Sequence, residues 1–158
     1  MKYIFYKFQG AGNDFVMMDN RLNNISLTTE QIARICDRRF GVGADGLIFL
    51  ESSDSVDFKM VYYNSDGALG SMCGNGGRCI VAFAKTFELF DQVCEFEAFD
   101  GIHKAELVDG DRISLSMSDV SFLEKKQANW YLDTGSPHLI CFVDSIEQID
   151  VSQKGAEI

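Results

Sequence analysis

Cys73-Gly74-Asn75-Gly76-Gly77-Arg78-Cys79 puts a thiol at the threshold of a glycine-rich helix start. Glycines at 74, 76 and 77 leave the backbone N–H groups uncovered, and Asn75 is placed to cap the helix. The first N–H groups of a helix lack partners within it and carry the positive end of its dipole. They can hold a carboxylate, and the same field makes a neighbouring thiol easier to ionise. This spacing therefore offers a thiolate base and a carboxylate ligand meeting at one helix end. A small buried hydrophobe is the other reading of Cys73, and the residue pattern leaves both open. Cys36, Cys79, Cys94 and Cys141 read as core cysteines. No pair has Cys-x-x-Cys spacing and only His103 and His138 could add ligands, so no metal site is expected. Gly41-Val42-Gly43-Ala44-Asp45-Gly46 is no dinucleotide fingerprint, because it follows a helix and enters a strand.

The elements that must position these residues are read from periodicity. Tyr3 to Phe8 and Asp14 to Asp19 alternate as strands around a Gly10-Ala11-Gly12-Asn13 turn. Thr28 and Gln31 form a capping box that opens a helix running to about Arg38. Strands at Leu47 to Leu50 and Asp57 to Tyr63 lead to an Asn64-Ser65-Asp66-Gly67 turn. After the Cys73 loop, Cys79, Ile80, Phe83, Ala84 and Phe87 make the buried face of a helix reaching about Leu89. Val93 to Ala98, Ile102 to Leu107 and Arg112 to Met117 are strands joined by Asp-Gly turns. Ser118 to Gln127 reads as a linker, followed by strands at Trp130 to Asp133 and Leu139 to Val143 and a short helix after Ser145.

Composition narrows the function. The 158 residues are 46% hydrophobic, enough for a packed core, and carry a net charge of -10, which disfavours non-specific nucleic-acid binding. No apolar run is long enough for a membrane span, and Lys2 and Lys7 break the N-terminus as a signal peptide. A cytoplasmic protein with reduced thiols is expected.

Five segments together resemble one family. Gly10-Ala11-Gly12-Asn13-Asp14-Phe15, Gly41-Val42-Gly43-Ala44-Asp45-Gly46, Tyr63-Asn64-Ser65-Asp66-Gly67, Met72-Cys73-Gly74-Asn75-Gly76-Gly77-Arg78-Cys79 and Gly135-Ser136-Pro137-His138 look like successive signatures of diaminopimelate epimerase, in family order. The resemblance implies an α+β fold of two pseudo-symmetric halves, each an antiparallel sheet wrapped around a central helix with one catalytic cysteine at its start. It implies that Cys73 is a catalytic thiol and that Asn13, Asn64, Gly74 and Asn75 hold the substrate. His138 falls where the family places a histidine that tunes the thiols. Many members have glutamine where Gly46 stands and asparagine where Ser136 stands, so those two contacts depart from the pattern. The implied activity is inversion of a stereocentre of diaminopimelate, LL to meso, in lysine biosynthesis. The partner would be a small amino acid, with no cofactor, no membrane and no nucleic acid; a homodimer is the assembly the resemblance admits. Rival readings are a proline racemase-like or phenazine-pathway-like isomerase of the same fold, or a non-catalytic binding fragment.

The expected organisation is a first half over residues 1–118 and, over residues 119–158, a linker with the beginning of a second half. Gly12 to Asp19 and Gly135 to Asp144 share a turn-into-strand design, each followed by Glu-Gln-Ile, at Glu30-Gln31-Ile32 and Glu147-Gln148-Ile149. One Cys-Gly-x-Gly loop is present where two such halves would have two. The 158-residue chain by itself is therefore expected to be inactive in stereoinversion.

Overall fold

The computed structural model describes residues 2–110 and 112–157. They fall into two compact units, the first ending at Ser118 and the second beginning at Asp119.

In the first unit, seven strands form one sheet in sequence order: β1 (Tyr6–Gly10), β2 (Asn13–Asp19), β3 (Gly46–Glu51), β4 (Phe58–Asn64), β5 (Val93–Ala98), β6 (Gly101–Leu107) and β7 (Ile113–Leu115). Helix α1 (Thr29–Cys36) connects β2 to β3, and α2 (Gly74–Lys85) lies between β4 and β5. The fold is α+β, as the family resemblance implies, but the sheet is mixed. β2 and β3 are parallel, and so are β4 and β5, while the other neighbours are antiparallel. The reason is topological: a helix joining two adjacent strands is a crossover, and a crossover returns the chain in the same direction.

β2 and β3 are covered on both faces. Phe15, Met17, Ile48 and Leu50 enter the core around α2, whereas Val16, Met18, Leu47 and Phe49 pack with Ile32 and Cys36 of α1. This explains why both strands read as unbroken apolar runs. The α1 start is held as its sequence predicts: Gln31 N–H donates to Thr28 Oγ1 at 3.3 Å, and Thr28 N–H donates to Gln31 Oε1 at 2.9 Å.

The sheet curls around α2, which packs against β1, β2, β3, β4 and β7, so both edge strands meet the same helix. Close approach at its first turn leaves no room for side chains. A Cβ on Gly76 would stand 3.1 Å from both Ile48 Cδ1 and Met60 Cε, and one on Gly77 would stand 2.7 Å from Leu115 Cδ2. At the far end, the Phe83 ring packs tilted against Tyr6 and edge-on against Phe8 and Phe87. Buried His103 bridges Asp100 Oδ1 at 2.8 Å and the Ser116 carbonyl at 3.1 Å, pinning the last residues of this unit.

The second unit holds a three-stranded antiparallel sheet of β8 (Glu124–Lys126), β9 (Asn129–Asp133) and β10 (Pro137–Ile140), then a 3-10 turn at Ile146–Gln148 and α3 (Val151–Ala156). The two stretches with shared sequence design both end an antiparallel hairpin, β1/β2 and β9/β10. Trp130 and Leu132 are half-buried, while Ile140 and Phe142 are exposed.

Several local expectations are corrected. β1 begins at Tyr6 rather than Tyr3, and β10 ends at Ile140. A strand, β8, occupies part of the expected linker. α2 ends at Lys85, after which residues 86–89 form turns. Cys141, read as a core residue, is exposed beyond β10, because the chain has left the sheet there.

Candidate active site

Three of the expected site residues lie on one edge of the first sheet. Asn13 opens β2, Gly46 opens β3 and Asn64 closes β4; Gly46 pairs with both Phe15 and Asn64. The β1–β2 turn turns tightly at Ala11 (φ 53°) and Gly12 (φ 84°), a hairpin geometry that requires positive φ at both positions. It delivers Gly10 against the start of α2, where a Cβ on Gly10 would stand 3.3 Å from the Asn75 carbonyl oxygen. The sheet edge and the helix start therefore adjoin.

Cys73, and not Asn75, is the N-cap of α2. Its backbone is extended, and its Sγ accepts the N–H of Gly76 at 3.4 Å. Asn75 lies inside the first turn, where its side-chain oxygen accepts from Arg78. A cap needs an acceptor on the residue just before the first turn, and the sulfur has that place. Cys73 is half-buried. Among the described residues, no acceptor takes the N–H of Gly74 or Asn75. Gly74 also differs from its neighbours: a Cβ there would meet nothing closer than 3.7 Å, so packing does not demand glycine. Two free helix-start N–H groups beside a thiol are what anion binding at a helix end requires.

The other thiols of this unit are buried and suppressed. Burial pushes Cys36 and Cys79 up to about 11 and Cys94 up to about 12. Asn13 is half-buried, and its Oδ1 is buried with no hydrogen-bond donor among the described residues. Such an oxygen costs free energy unless something pairs with it.

Two features were missed in the sequence. The first is a charged clamp under the sheet edge. Asp14 pairs with Lys7 at 2.6 Å and with Arg38 at 2.7 Å, and Arg38 also reaches Asp45 at 2.8 Å. The Arg38 guanidinium, followed by the Lys7 ammonium, holds the Asp14 carboxyl far below the usual carboxylate range. Asp14 and Asp45 also exchange backbone N–H donations, which ties the starts of β2 and β3 together. The second is Tyr62, whose hydroxyl donates to Asn64 Oδ1 at 2.9 Å. Its signal was present: Tyr62 and Asn64 are two apart on a strand and must share a face.

A family profile for diaminopimelate epimerase matches residues 5–123. The chain belongs to the diaminopimelate epimerase family. Among relatives, the diaminopimelate epimerase of Flavobacterium psychrophilum is 51% identical over 154 residues, covering 97% of this chain and 60% of its own length. That of Chlorobaculum tepidum is 45% identical over 156 residues, covering 94% of this chain and 61% of its own length. The chain thus spans about 60% of the length of these curated relatives. Two solved structures share the fold. A phenazine biosynthesis protein from Bacillus anthracis has a TM-score of 0.61 at 17% identity, over 87% of this chain and 53% of its own. A hydroxyproline epimerase from Agrobacterium vitis also has a TM-score of 0.61, at 11% identity, over 96% of this chain and 52% of its own.

Within this family pattern, the structure gives Gly46 a physical reason. A Cβ there would stand 2.5 Å from Tyr62 Cε2 and 2.5 Å from the Tyr63 carbonyl oxygen, so the Tyr62 ring occupies the space of a side chain at 46. The remaining epimerase-like positions, Ser136 and His138, belong to the second unit. There His138 is exposed on β10 and its Nδ1 lies 2.6 Å from the Ser136 carbonyl oxygen. No helix among the described residues is long and apolar enough to cross a membrane.

Proposed function

We propose that this chain carries one catalytic half of a diaminopimelate epimerase, with Cys73 as the thiol that exchanges a proton with the substrate α-carbon. The observation that carries the reading is the placing of Cys73 as N-cap of α2, beside the unpaired N–H groups of Gly74 and Asn75. The substrate carboxylate is assigned to those N–H groups. The Cys73 thiolate removes the α-proton, and the electron pair left on carbon delocalises into the carboxylate, whose growing charge the helix-start dipoles stabilise. Asn13 and Asn64 hold the substrate from the sheet edge. His138 is assigned the thiol-tuning role that the family resemblance implies, while Gly46 and Ser136 stand where the family's pattern of substrate contacts is departed from. A reducing cytoplasm, which keeps thiols free, suits this chemistry and lysine biosynthesis.

Inversion requires a second acid on the opposite face of the carbanion, because a single base returns the proton to the side it left. None of the other four cysteines caps a helix start among the described residues. The opposing thiol is assigned to a part of the relatives' length that residues 1–158 do not span. By themselves these residues are proposed to exchange the α-proton without inverting the centre. Residues 1–118 would then correspond to the complete first half and residues 119–158 to the beginning of the second. The test is α-deuteration of single-isomer diaminopimelate in deuterium oxide, with the stereochemistry of the product read separately.

A further inference from the structure

We infer that Tyr62 is a positioning residue that fixes the Asn64 amide so that its side-chain N–H donors serve a carboxylate of the bound molecule. The inference rests on the reading that Asn64 faces the substrate. Tyr62 and Asn64 lie on the same face of β4, and the Tyr62 hydroxyl donates to Asn64 Oδ1 at 2.9 Å. The ring cannot swing away. It is held between Gly46 and Gly70, where a Cβ on the first would reach 2.5 Å from its Cε2 and one on the second would overlap its Cδ1 and Cε1. Phe15 closes a third side, edge-on at 5.9 Å between ring centroids. Burial, followed by the neighbouring Cys73, pushes the Tyr62 phenol up to about 12, so the hydroxyl keeps its proton at neutral pH.

The rest of Asn64 is also committed. Its N–H donates to the Ala68 carbonyl at 2.9 Å, and its own carbonyl accepts from Gly67 at 2.9 Å. Among the described residues, only its Nδ2 lacks a partner, and it is not a buried unpaired atom. An amide oxygen has two lone pairs, and the fixed phenol takes one of them and sets the orientation of the amide, so the two N–H donors of Nδ2 are the groups left wholly uncommitted. So oriented, the amide favours a carboxylate over an ammonium. Asn13 is its complement on the same sheet edge, with an unpaired buried oxygen. An amino acid carries one group of each kind.

The test uses the 158-residue chain, isotopically labelled, with the Asn64 side-chain amide followed by NMR. Glutarate, a dicarboxylate without amines, and cadaverine, a diamine without carboxylates, are titrated separately, then diaminopimelate. Glutarate is expected to move the Asn64 signals and cadaverine to leave them. Tyr62→Phe is expected to weaken glutarate binding about fivefold and to let cadaverine perturb Asn64, as the loss of one hydrogen bond predicts. Asn64→Asp keeps an acceptor for Tyr62 but has no side-chain N–H, so glutarate, followed in that variant at the backbone amides of Gly67 and Ala68, should bind at least about fivefold more weakly. If Tyr62→Phe fails to fold, Asn64→Asp and the choice between the two probes by the unaltered chain decide the matter. Cadaverine acting on Asn64 in the unaltered chain, glutarate binding unchanged in Tyr62→Phe, or no response of Asn64 to glutarate would each overturn the inference. If that happens while diaminopimelate still moves the Gly74 and Asn75 amides, the proposed function stands without it. If glutarate behaves as expected but diaminopimelate neither binds nor exchanges, the carboxylate site stands and the proposed function falls.

Discussion

The sulfur of Cys73 accepts the backbone N–H of Gly76 at 3.4 Å, so the thiol is itself the cap of α2. Thiol, dipole and free N–H groups are thereby set by one backbone geometry. An alkylation experiment reads this out. Cys141 is exposed and will react without any activation, so the comparison belongs in a Cys141→Ser background. There, limiting alkylation near neutral pH should modify Cys73 at least about tenfold faster than Cys36, Cys79 or Cys94. Those three are buried, with thiols pushed up to about 11, 11 and 12. Peptide mass spectrometry would check it, and equal labelling of all four in folded protein would remove the distinction.

The glycines of the loop divide by cause. Gly77→Ala drives a methyl to 2.7 Å from Leu115 Cδ2 and 2.9 Å from Met72 Cε, so it should destabilise the fold by about 1–3 kcal/mol in urea denaturation. Gly74→Ala makes only ordinary van der Waals contact, 3.7 Å from the Arg78 guanidinium and the Met117 sulfur, and should leave stability within about 1 kcal/mol of the parent. Its effect should fall on the ligand, because a methyl would stand over the N–H groups assigned to the carboxylate. Exchange of the substrate α-proton should drop about tenfold or more. Loss of stability with normal exchange in Gly74→Ala would reverse the assignment.

The Asp14 clamp predicts a pH dependence. Arg38 and Lys7 lower the folded-state pKa of Asp14 below its ordinary value, with Asp45 the nearby acid that shares Arg38. A carboxyl depressed on folding contributes fully above its unfolded pKa, about 4, and loses that contribution as pH falls toward the folded value. Asp14→Asn should therefore lower the urea midpoint most above about pH 5, with the gap from the parent closing below about pH 4. A gap that is constant with pH would mean that Asp14 acts through shape and not through charge.

Much of this was legible from local pattern. The Thr28–Gln31 box and the β1–β2 turn are decided by residues within a few positions of one another and form where their residues call for them, whereas the turn expected at Asp100-Gly101 forms one residue earlier, at Phe99-Asp100, with Gly101 already in β6. Of the site, Cys73 and the glycines stood out because polar loop chemistry breaks the apolar period. What was illegible depends on neighbours distant in sequence. The parallel pairings follow from which strands α1 and α2 bridge, which periodicity does not record. The Tyr62 ring fills space at Gly46 and Gly70, sixteen and eight residues away in the chain, and only the folded sheet brings them together. Asn75 was read as the cap because asparagine is a common one, yet helix register gave that place to a sulfur.

The most direct measurement follows the α-hydrogen of single-isomer diaminopimelate in deuterium oxide, with residues 1–158 and with their Cys73→Ser variant. The account predicts slow α-deuteration with retained configuration, falling by about a hundredfold or more when the thiol is replaced. It also predicts that linking residues 1–158 to the remaining part of the Flavobacterium psychrophilum relative, which has 40% of its length beyond the match, brings inversion. Deuteration that is indifferent to Cys73→Ser would contradict the central claim, as would inversion by residues 1–158 alone at the rate of a full-length relative.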